Sequence, residues 1–401
     1  MIYDNHTYES HVKTVRLYAS SIENAYPILY LGETDFLTLE FDELLPQSEN
    51  ASNLTASLLQ CDADWNPSNV MQMEFYEGFA TQSLSEYTRT EVTNVPYVHY
   101  NYTFPKDGEH FKMSGNYILY VYRNGDKENL VITRRLMVAD KLMEVNPTLT
   151  LSGSVPRMRQ TDINFTLNNT GGLPIANQDW DIKVVVLQNG RWDNAALNLK
   201  PAFVRNNGWE YHLNINKVFN TGNEFRRADI SSTRLFGQNV ESTERQEDNT
   251  WHVILKRDAA YPTNLYKAIG DWNGGYKVSV NEFPDAATQA DYVSCHFTFK
   301  PAEVFEELDV YIQGYFNDFQ ADAEYKLAYN ENLHVYEKDI WLKQGMYDYQ
   351  YILQNPLTQQ KVETLTEGKR TDSENFYHVL VYYKKPSDRT HQLVVCRGFN
   401  M

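Results

Sequence analysis

Val310-Tyr-Ile-Gln-Gly-Tyr-Phe-Asn-Asp-Phe319 and, further on, Trp341-Leu-Lys-Gln-Gly-Met-Tyr-Asp-Tyr-Gln-Tyr-Ile-Leu353 decide how this chain is read. Strand residues alternate between a buried and an exposed face, and Gly or Asn supplies the left-handed backbone of a tight corner. The first stretch reads as a strand carrying a Gly314-Tyr315-Phe316-Asn317 corner. Two further strands follow, joined by Lys343-Gln344-Gly345. Tyr347, Tyr349 and Tyr351 alternate with Asp348 and Gln350, so they share one strand face, and the period favours an inward, core-forming direction.

Working outward, the same local pattern recurs. Val12–Tyr18 alternates, and Ile28–Leu31 and Leu37–Asp42 flank Gly32. Asn116–Tyr122 and Leu130–Arg135 are separated by Asn124-Gly125-Asp126, and Asn-Gly between two apolar runs is a strong hairpin signal. Asp162–Leu167 alternates again, and Asp181–Gln188 reads as a strand ending in an Asn189-Gly190 turn. Trp251–Leu255, Tyr276–Val280, Tyr292–Phe299, Tyr377–Tyr383 and Gln392–Cys396 complete the series. Helical turns are expected only at Pro67-Ser68-Asn69 and Ala286–Ala290. Short strands at such spacing predict an all-β protein of consecutive β-sandwich domains. The expected division is an immunoglobulin-like sandwich over 1–140, a central sandwich with long loops over 141–302, and a third sandwich over 303–401. Lys300-Pro301-Ala302-Glu303 is read as the linker before the third.

Composition bounds the rest. A length of 401 residues calls for several domains, and a 42% hydrophobic fraction suffices for packed cores. Twenty-nine tyrosines suit half-buried sheet. A net charge of −17 repels phosphate backbones and anionic membrane surfaces, so neither nucleic acid nor membrane is an expected partner. No run of eighteen apolar residues exists, and the N-terminal MIYDNHTYESHVKTVRLY carries no apolar signal core, so it reads as the start of a mature domain. Cys61, Cys295 and Cys396 sit among apolar neighbours at no zinc-ligand spacing. Buried free thiols are expected, with one disulfide the alternative. Sequons such as Asn53-Leu54-Thr55 arise readily by chance in a chain this rich in Asn and Thr.

Three polar clusters stand out: Cys61–Ser68, Gln188–Ala195 and Phe219–Arg226. Asp62 and Asp64 could pair as the carboxylates of a glycosidase or open an EF-hand-like calcium loop with Asn66. The loop lacks the Gly and the Glu that an EF-hand requires, and Asp-x-Asp in a turn is more commonly a capping device. The Cys61 thiol has no catalytic motif around it. Gly-x-Ser-x-Gly, P-loop and His-Glu-x-x-His patterns do not occur. No cofactor, no metal and no catalytic residue is expected. Arg191-Trp192 and Glu224-Phe225-Arg226 each join a charge to a ring. They read either as partner contacts or, more readily, as internal anchors for long loops. The candidate residues are therefore Asp62, Asp64, Trp65, Arg191, Trp192, Glu224, Phe225 and Arg226. Trp65 and Trp192 are expected to serve folding more than recognition.

Taken in order, residues 31–44 (LGETDFLTLEFDEL), 58–79 (LLQCDADWNPSNVMQMEFYEGF), 97–105 (YVHYNYTFP), 113–122 (MSGNYILYVY), 186–195 (VLQNGRWDNA), 221–229 (TGNEFRRAD), 290–297 (ADYVSCHF), 311–319 (YIQGYFNDF) and 342–351 (LKQGMYDYQY) resemble the plug protein of the type IX secretion system. That resemblance implies a non-enzymatic periplasmic protein with an N-terminal immunoglobulin-like domain. Its implied partner is the outer-membrane translocon β-barrel, whose periplasmic mouth it would close. The resemblance also implies that the periplasmic protein is made with a signal peptide, expected to have preceded Met1. The module over 303–401 is similar to early-set and carbohydrate-binding sandwiches. The alternative is thus a carbohydrate-binding protein, with Trp341, Tyr347, Tyr349 and Tyr351 stacking on sugar rings.

Overall fold

The computed structural model describes residues 1–20, 22–152, 160–205, 208–213, 219, 223–261, 270–368 and 373–400. Asn220, Thr221 and Gly222 of the third polar cluster lie outside them. The protein is all-β, and its strands fall into three face-to-face packings.

The first packing sets one sheet, in the order His6–Thr7, Leu130–Ala139, Gly115–Arg123, Leu54–Cys61, Thr81–Ser83, against a second, in the order Val12–Ala19, Leu37–Leu44, Tyr97–Phe104, Tyr87–Arg89. The expected hairpin is present: Gly115–Arg123 pairs antiparallel with Leu130–Ala139, and Asn124 and Gly125 take φ of 52° and 75°. Leu39, Phe41, Tyr100, Tyr117, Leu119 and Val131 fill the space between the sheets.

The second packing sets Glu144–Ser152, Gln160–Asn168, Gly208–His212 and Phe203–Arg205 against Ile182–Gln188, Phe376–Tyr383 and Gln392–Asn400. The third wraps a long curved sheet around Val253, Phe297, Phe299, Val310, Ile312, Tyr347, Tyr349 and Tyr351. Its order is Arg226–Asp229, Gly345–Gln354, Asp309–Gln313, Lys326–Asn330, Val335–Lys343, Tyr292–Lys300, Trp251–Leu255, Val240–Arg245.

This pairing departs from the consecutive spans 141–302 and 303–401. Ile182–Gln188 takes Phe376–Tyr383 as its antiparallel neighbour, and Tyr292–Lys300 takes Val335–Lys343. The C-terminal strands therefore return to the central sandwich, and the third sandwich is inserted between its halves. Lys300–Glu303 joins two strands of one sheet and is not a boundary. The physical reason is that Val184, Val186, Val379, Val381 and Val394 need one another to bury one core, whatever their separation in sequence.

Two local expectations also change. Helical turns occur at Gln72–Phe75, Gln178–Asp181 and Ala286–Gln289, so the one at Ala286 is present while Pro67–Asn69 forms none. In the opening stretch, Gly314 is extended, and the left-handed residues of the corner are Asp318 and Phe319, at φ of 52° and 56°. A one-turn 3-10 helix, Tyr315–Asn317, precedes them, capped by Asn317 Oδ1 accepting from the Gly314 amide at 3.0 Å.

Candidate functional site

The sequence-selected residues lie at or beside the buried joints between the three packings. Asp62 is a turn cap: its Oδ1 accepts the amides of Asp64 and Asn66, each at 2.9 Å. Asp64 points away and ion-pairs with Lys183 of the central sandwich. The two carboxylates thus face different partners, so neither the glycosidase pair nor a convergent calcium loop forms here.

Trp65 ends that turn in a left-handed conformation, φ 65°, a strained state for a bulky residue that packing must hold in place. Its ring meets Trp192 edge-on at 5.1 Å, and the Arg135 guanidinium lies over both rings, at 4.4 and 5.2 Å. Trp192 Nε1 donates to Tyr26 Oη at 2.8 Å. Around them, Cys61, Ile118, Tyr120 and Met137 from the first sandwich meet Val185, Leu187, Leu380, Tyr382 and Cys396 from the central one. The sheet Ile182–Gln188, Phe376–Tyr383, Gln392–Asn400 is consequently covered on both faces. Burial pulls the Arg135 pKa below its ordinary value, opposed by Asp4, which pairs with it at 3.1 Å.

The 314–319 corner is the junction of all three packings. Tyr315 Oη donates to the Asn189 carbonyl at 2.6 Å, in the central sandwich. Asp318 Oδ1 accepts from Asn5 Nδ2 at 3.0 Å and Asp318 lies 3.5 Å from Arg134, both in the first. Phe319 lies under the Arg191 guanidinium at 4.5 Å. A Cβ on Gly190 would stand 2.3 Å from Tyr315 Oη, so this turn needs glycine for close approach as well as for its φ of 66°. Arg191 grips Asp193 through Nε and Nη2 at 3.0 and 2.9 Å and reaches Glu363 at 2.8 Å, while Lys361 holds Asp193 at 2.7 Å. Burial works against the Arg191 charge, yet Glu363 and Asp193 outweigh it and raise the pKa. Asp193 in turn is held below its usual range: burial raises it, but Arg191 and Lys361 more than offset that.

Glu224, Phe225 and Arg226 are buried anchors too. Glu224 accepts the Glu374 amide at 3.1 Å, and the Phe225 amide donates to Asp271 at 2.5 Å. Arg226 pairs with Asp258 and Glu367, each at 3.2 Å, and lies 4.1 Å over the Tyr261 ring. The Arg226 contacts fasten loops of the third sandwich to its sheet, and Glu224 ties its first strand to the segment that leads back into the central sandwich at Phe376.

Sequence reasoning missed the joint between the first and third sandwiches. Asp42 and Lys343 are each 1% exposed and pair at 2.6 Å. Asp42 also takes hydrogen bonds from Tyr292 Oη and His99 Nδ1, each at 2.7 Å, and Lys343 Nζ donates to the Ala287 carbonyl at 2.7 Å and lies 4.2 Å over the Tyr97 ring. Burial raises the Asp42 carboxyl, but Lys343 and His99 more than offset it and hold it below its usual range. Burial pulls Lys343 below the usual amine range, only partly opposed by Asp42. Nearby, Asp291 accepts the amides of Asn94 and Val95 at 2.9 and 3.0 Å. Thr14, left-handed at φ 53°, hydrogen-bonds Tyr292 Oη at 2.6 Å. Leu37–Glu43 is buried on both faces, Glu40, Asp42 and Glu43 included, whereas the alternation of Leu37–Asp42 reads from sequence as one apolar and one solvated face, so no local signal marked Asp42 as buried.

Tyr347, Tyr349 and Tyr351 are 2%, 0% and 0% exposed and pack on Tyr276, Phe297 and Phe299, so they form core rather than a sugar platform. All three cysteines are free and buried.

Fold and clusters together define a multi-sandwich β-protein whose conspicuous charged and aromatic groups are spent on holding its parts in fixed relation. Residues 12–140 match the family model described as "Type 9 secretion system plug protein 1st domain". The crystal structure of a hypothetical protein from Parabacteroides merdae ATCC 43184 superposes with a TM-score of 0.92 at 26% identity, covering 100% of both chains. Dimeric latent PorU from Porphyromonas gingivalis aligns with 96% of this chain and 33% of its own, at 10% identity and a TM-score of 0.13, too low for a shared fold. No curated protein matches the chain.

Proposed function

We propose that this protein is a non-enzymatic plug subunit that seals the periplasmic end of the type IX secretion translocon barrel in the outer membrane. The match of residues 12–140 to the plug first domain carries this reading. The interlocked sandwiches support it, because a plug needs bulk and a shape that does not deform. Three joints make the body rigid: the apolar layer around Trp65 and Trp192, the corner at 314–319, and the Asp42–Lys343 pair. About 800 Å² on each partner suffices for a specific contact. Met71, Met73 and Phe79, 63%, 73% and 77% exposed along residues 71–79 of the plug-matching segment, offer apolar surface for it.

The test is leakage. Cells of the source bacterium lacking the protein should admit a normally excluded dye or antibiotic, while secretion persists at least in part. Deleting the translocon as well should close the leak. Leakage that remains in the double mutant would show that the pore is not the route, and the reading would fail. Co-purification with the barrel from solubilised outer membranes, weakened by Phe79→Glu, tests the contact itself.

A further inference from the structure

On the outward face of the third sandwich, three side chains converge that none of the joints uses. Trp251–Leu255 runs parallel to Tyr292–Lys300 with Ile254 beside His296, and Tyr292–Lys300 runs antiparallel to Val335–Lys343 with His296 opposite Asp339. Register partners and every second residue share a sheet face, so His252, His296 and Asp339 emerge together. His252 Nε2 and His296 Nδ1 lie 3.0 and 2.9 Å from the same oxygen, Asp339 Oδ1. The three ligand atoms stand within 4.8 Å of one another.

We propose that His252, His296 and Asp339 bind a divalent transition-metal cation of the zinc class. Zinc takes imidazole nitrogen and carboxylate oxygen at about 2.0–2.2 Å, and tetrahedral angles then set ligand atoms roughly 3.3–3.5 Å apart. The two nitrogen–oxygen separations, 3.0 and 2.9 Å, need to open by about half an ångström, and the two nitrogens already stand within 4.8 Å of each other. His296 Nε2 faces Glu337 Oε2 at 3.8 Å, and Glu337 is itself held by Asn330 at 2.9 Å. At that distance Glu337 is an electrostatic neighbour rather than a hydrogen-bond partner, and its charge favours a proton on the far nitrogen, which leaves the near one to coordinate. Two imidazoles select against calcium and magnesium, which take oxygen.

A second cluster, Glu9, His11 and Glu43, marks the contrast. There the Arg123 guanidinium already occupies the centre, with Nε 2.9 Å from Glu9 and Nη2 2.5 Å from Glu43. Among the described residues, the ion-pair partners of Asp339 are the two histidines alone. Asp339 is 58% exposed, which leaves coordination room for water or an external ligand. A bound ion would tie together three neighbouring strands, including the parallel strand that carries the Val240–Arg245 edge.

The experiment is calorimetric titration of the tag-free, chelator-treated protein with Zn²⁺. One equivalent should bind, millimolar Ca²⁺ should not compete, and the melting temperature should rise with Zn²⁺. His252→Ala and His296→Ala should each weaken binding by about 10–100-fold or more, the loss that even an outer partner of a metal site produces. Asp339→Asn, which keeps the side-chain shape, should do the same with an unchanged metal-free melt. His11→Ala should leave binding as it was. Absence of binding, or Zn²⁺ affinity that survives both histidine substitutions or disappears with His11→Ala, overturns the proposal.

Discussion

Removing Asp42 should loosen the first sandwich from the third. In Asp42→Ala, Lys343 stays 1% exposed and keeps only the Ala287 carbonyl and the Tyr97 ring, while Tyr292 Oη and His99 Nδ1 lose an acceptor. Breaking a buried ion pair from one side typically costs about 3–5 kcal/mol, because the remaining charge is left uncompensated. Unfolding entropy of about 2.1 cal/mol/K per residue gives about 0.8 kcal/mol/K when all 401 residues melt together, so the transition should fall by about 4–6 °C. If the joint opens before the sandwiches melt, the single transition should split instead, and calorimetry distinguishes the two. The double variant Asp42→Leu/Lys343→Met replaces the pair by apolar groups of similar volume and should recover most of the loss. An Asp42→Ala protein that melts as one transition within 1 °C of the parent would refute the claim that this pair holds the sandwiches together.

Trp65→Ala removes a buried ring and the face on which Arg135 rests, and should cost about 3–5 kcal/mol, with a smaller loss for half-buried Trp192→Ala. Unchanged melting with lost partner binding would instead move both residues to the interface. His378, buried against Tyr26 and Phe376, has its pKa pulled down to about 4 by burial, against 6.5 when exposed. Below 6.5 the unfolded chain takes a proton that the folded chain refuses, so this residue's contribution is whole above pH 6.5 and declines toward pH 4, by about 3 kcal/mol. His378→Gln should flatten the stability profile across that window. His391, with its pKa also lowered to about 4, leaves a residual slope. Burial raises the Cys61 and Cys396 thiols to about 12, so a thiol reagent should label the native protein only as it opens and recover three free thiols in denaturant. Prompt native labelling would contradict that burial.

The sequence by itself determined the elements and their local geometry. Period-two alternation in Leu37–Asp42, the continuous apolar run in Gly115–Arg123, and Asn-Gly at 124–125 and 189–190, are signals among neighbours, and a strand or a hairpin answers to neighbours. The tyrosine period at 347, 349 and 351 was enough to send those rings inward. The motifs that carry the plug resemblance were likewise legible, and the match over 12–140 agrees with the four that fall within it. Tertiary structure alone decided which strands share a sheet, because Ile182–Gln188 selects a partner nearly two hundred residues away by the apolar surface the two can bury together. It also decided what the polar clusters are for. Arg191 reads the same from sequence whether it meets a partner or Glu363, and Asp42 and Lys343, 301 residues apart, carry no mark of each other until the fold removes water from between them.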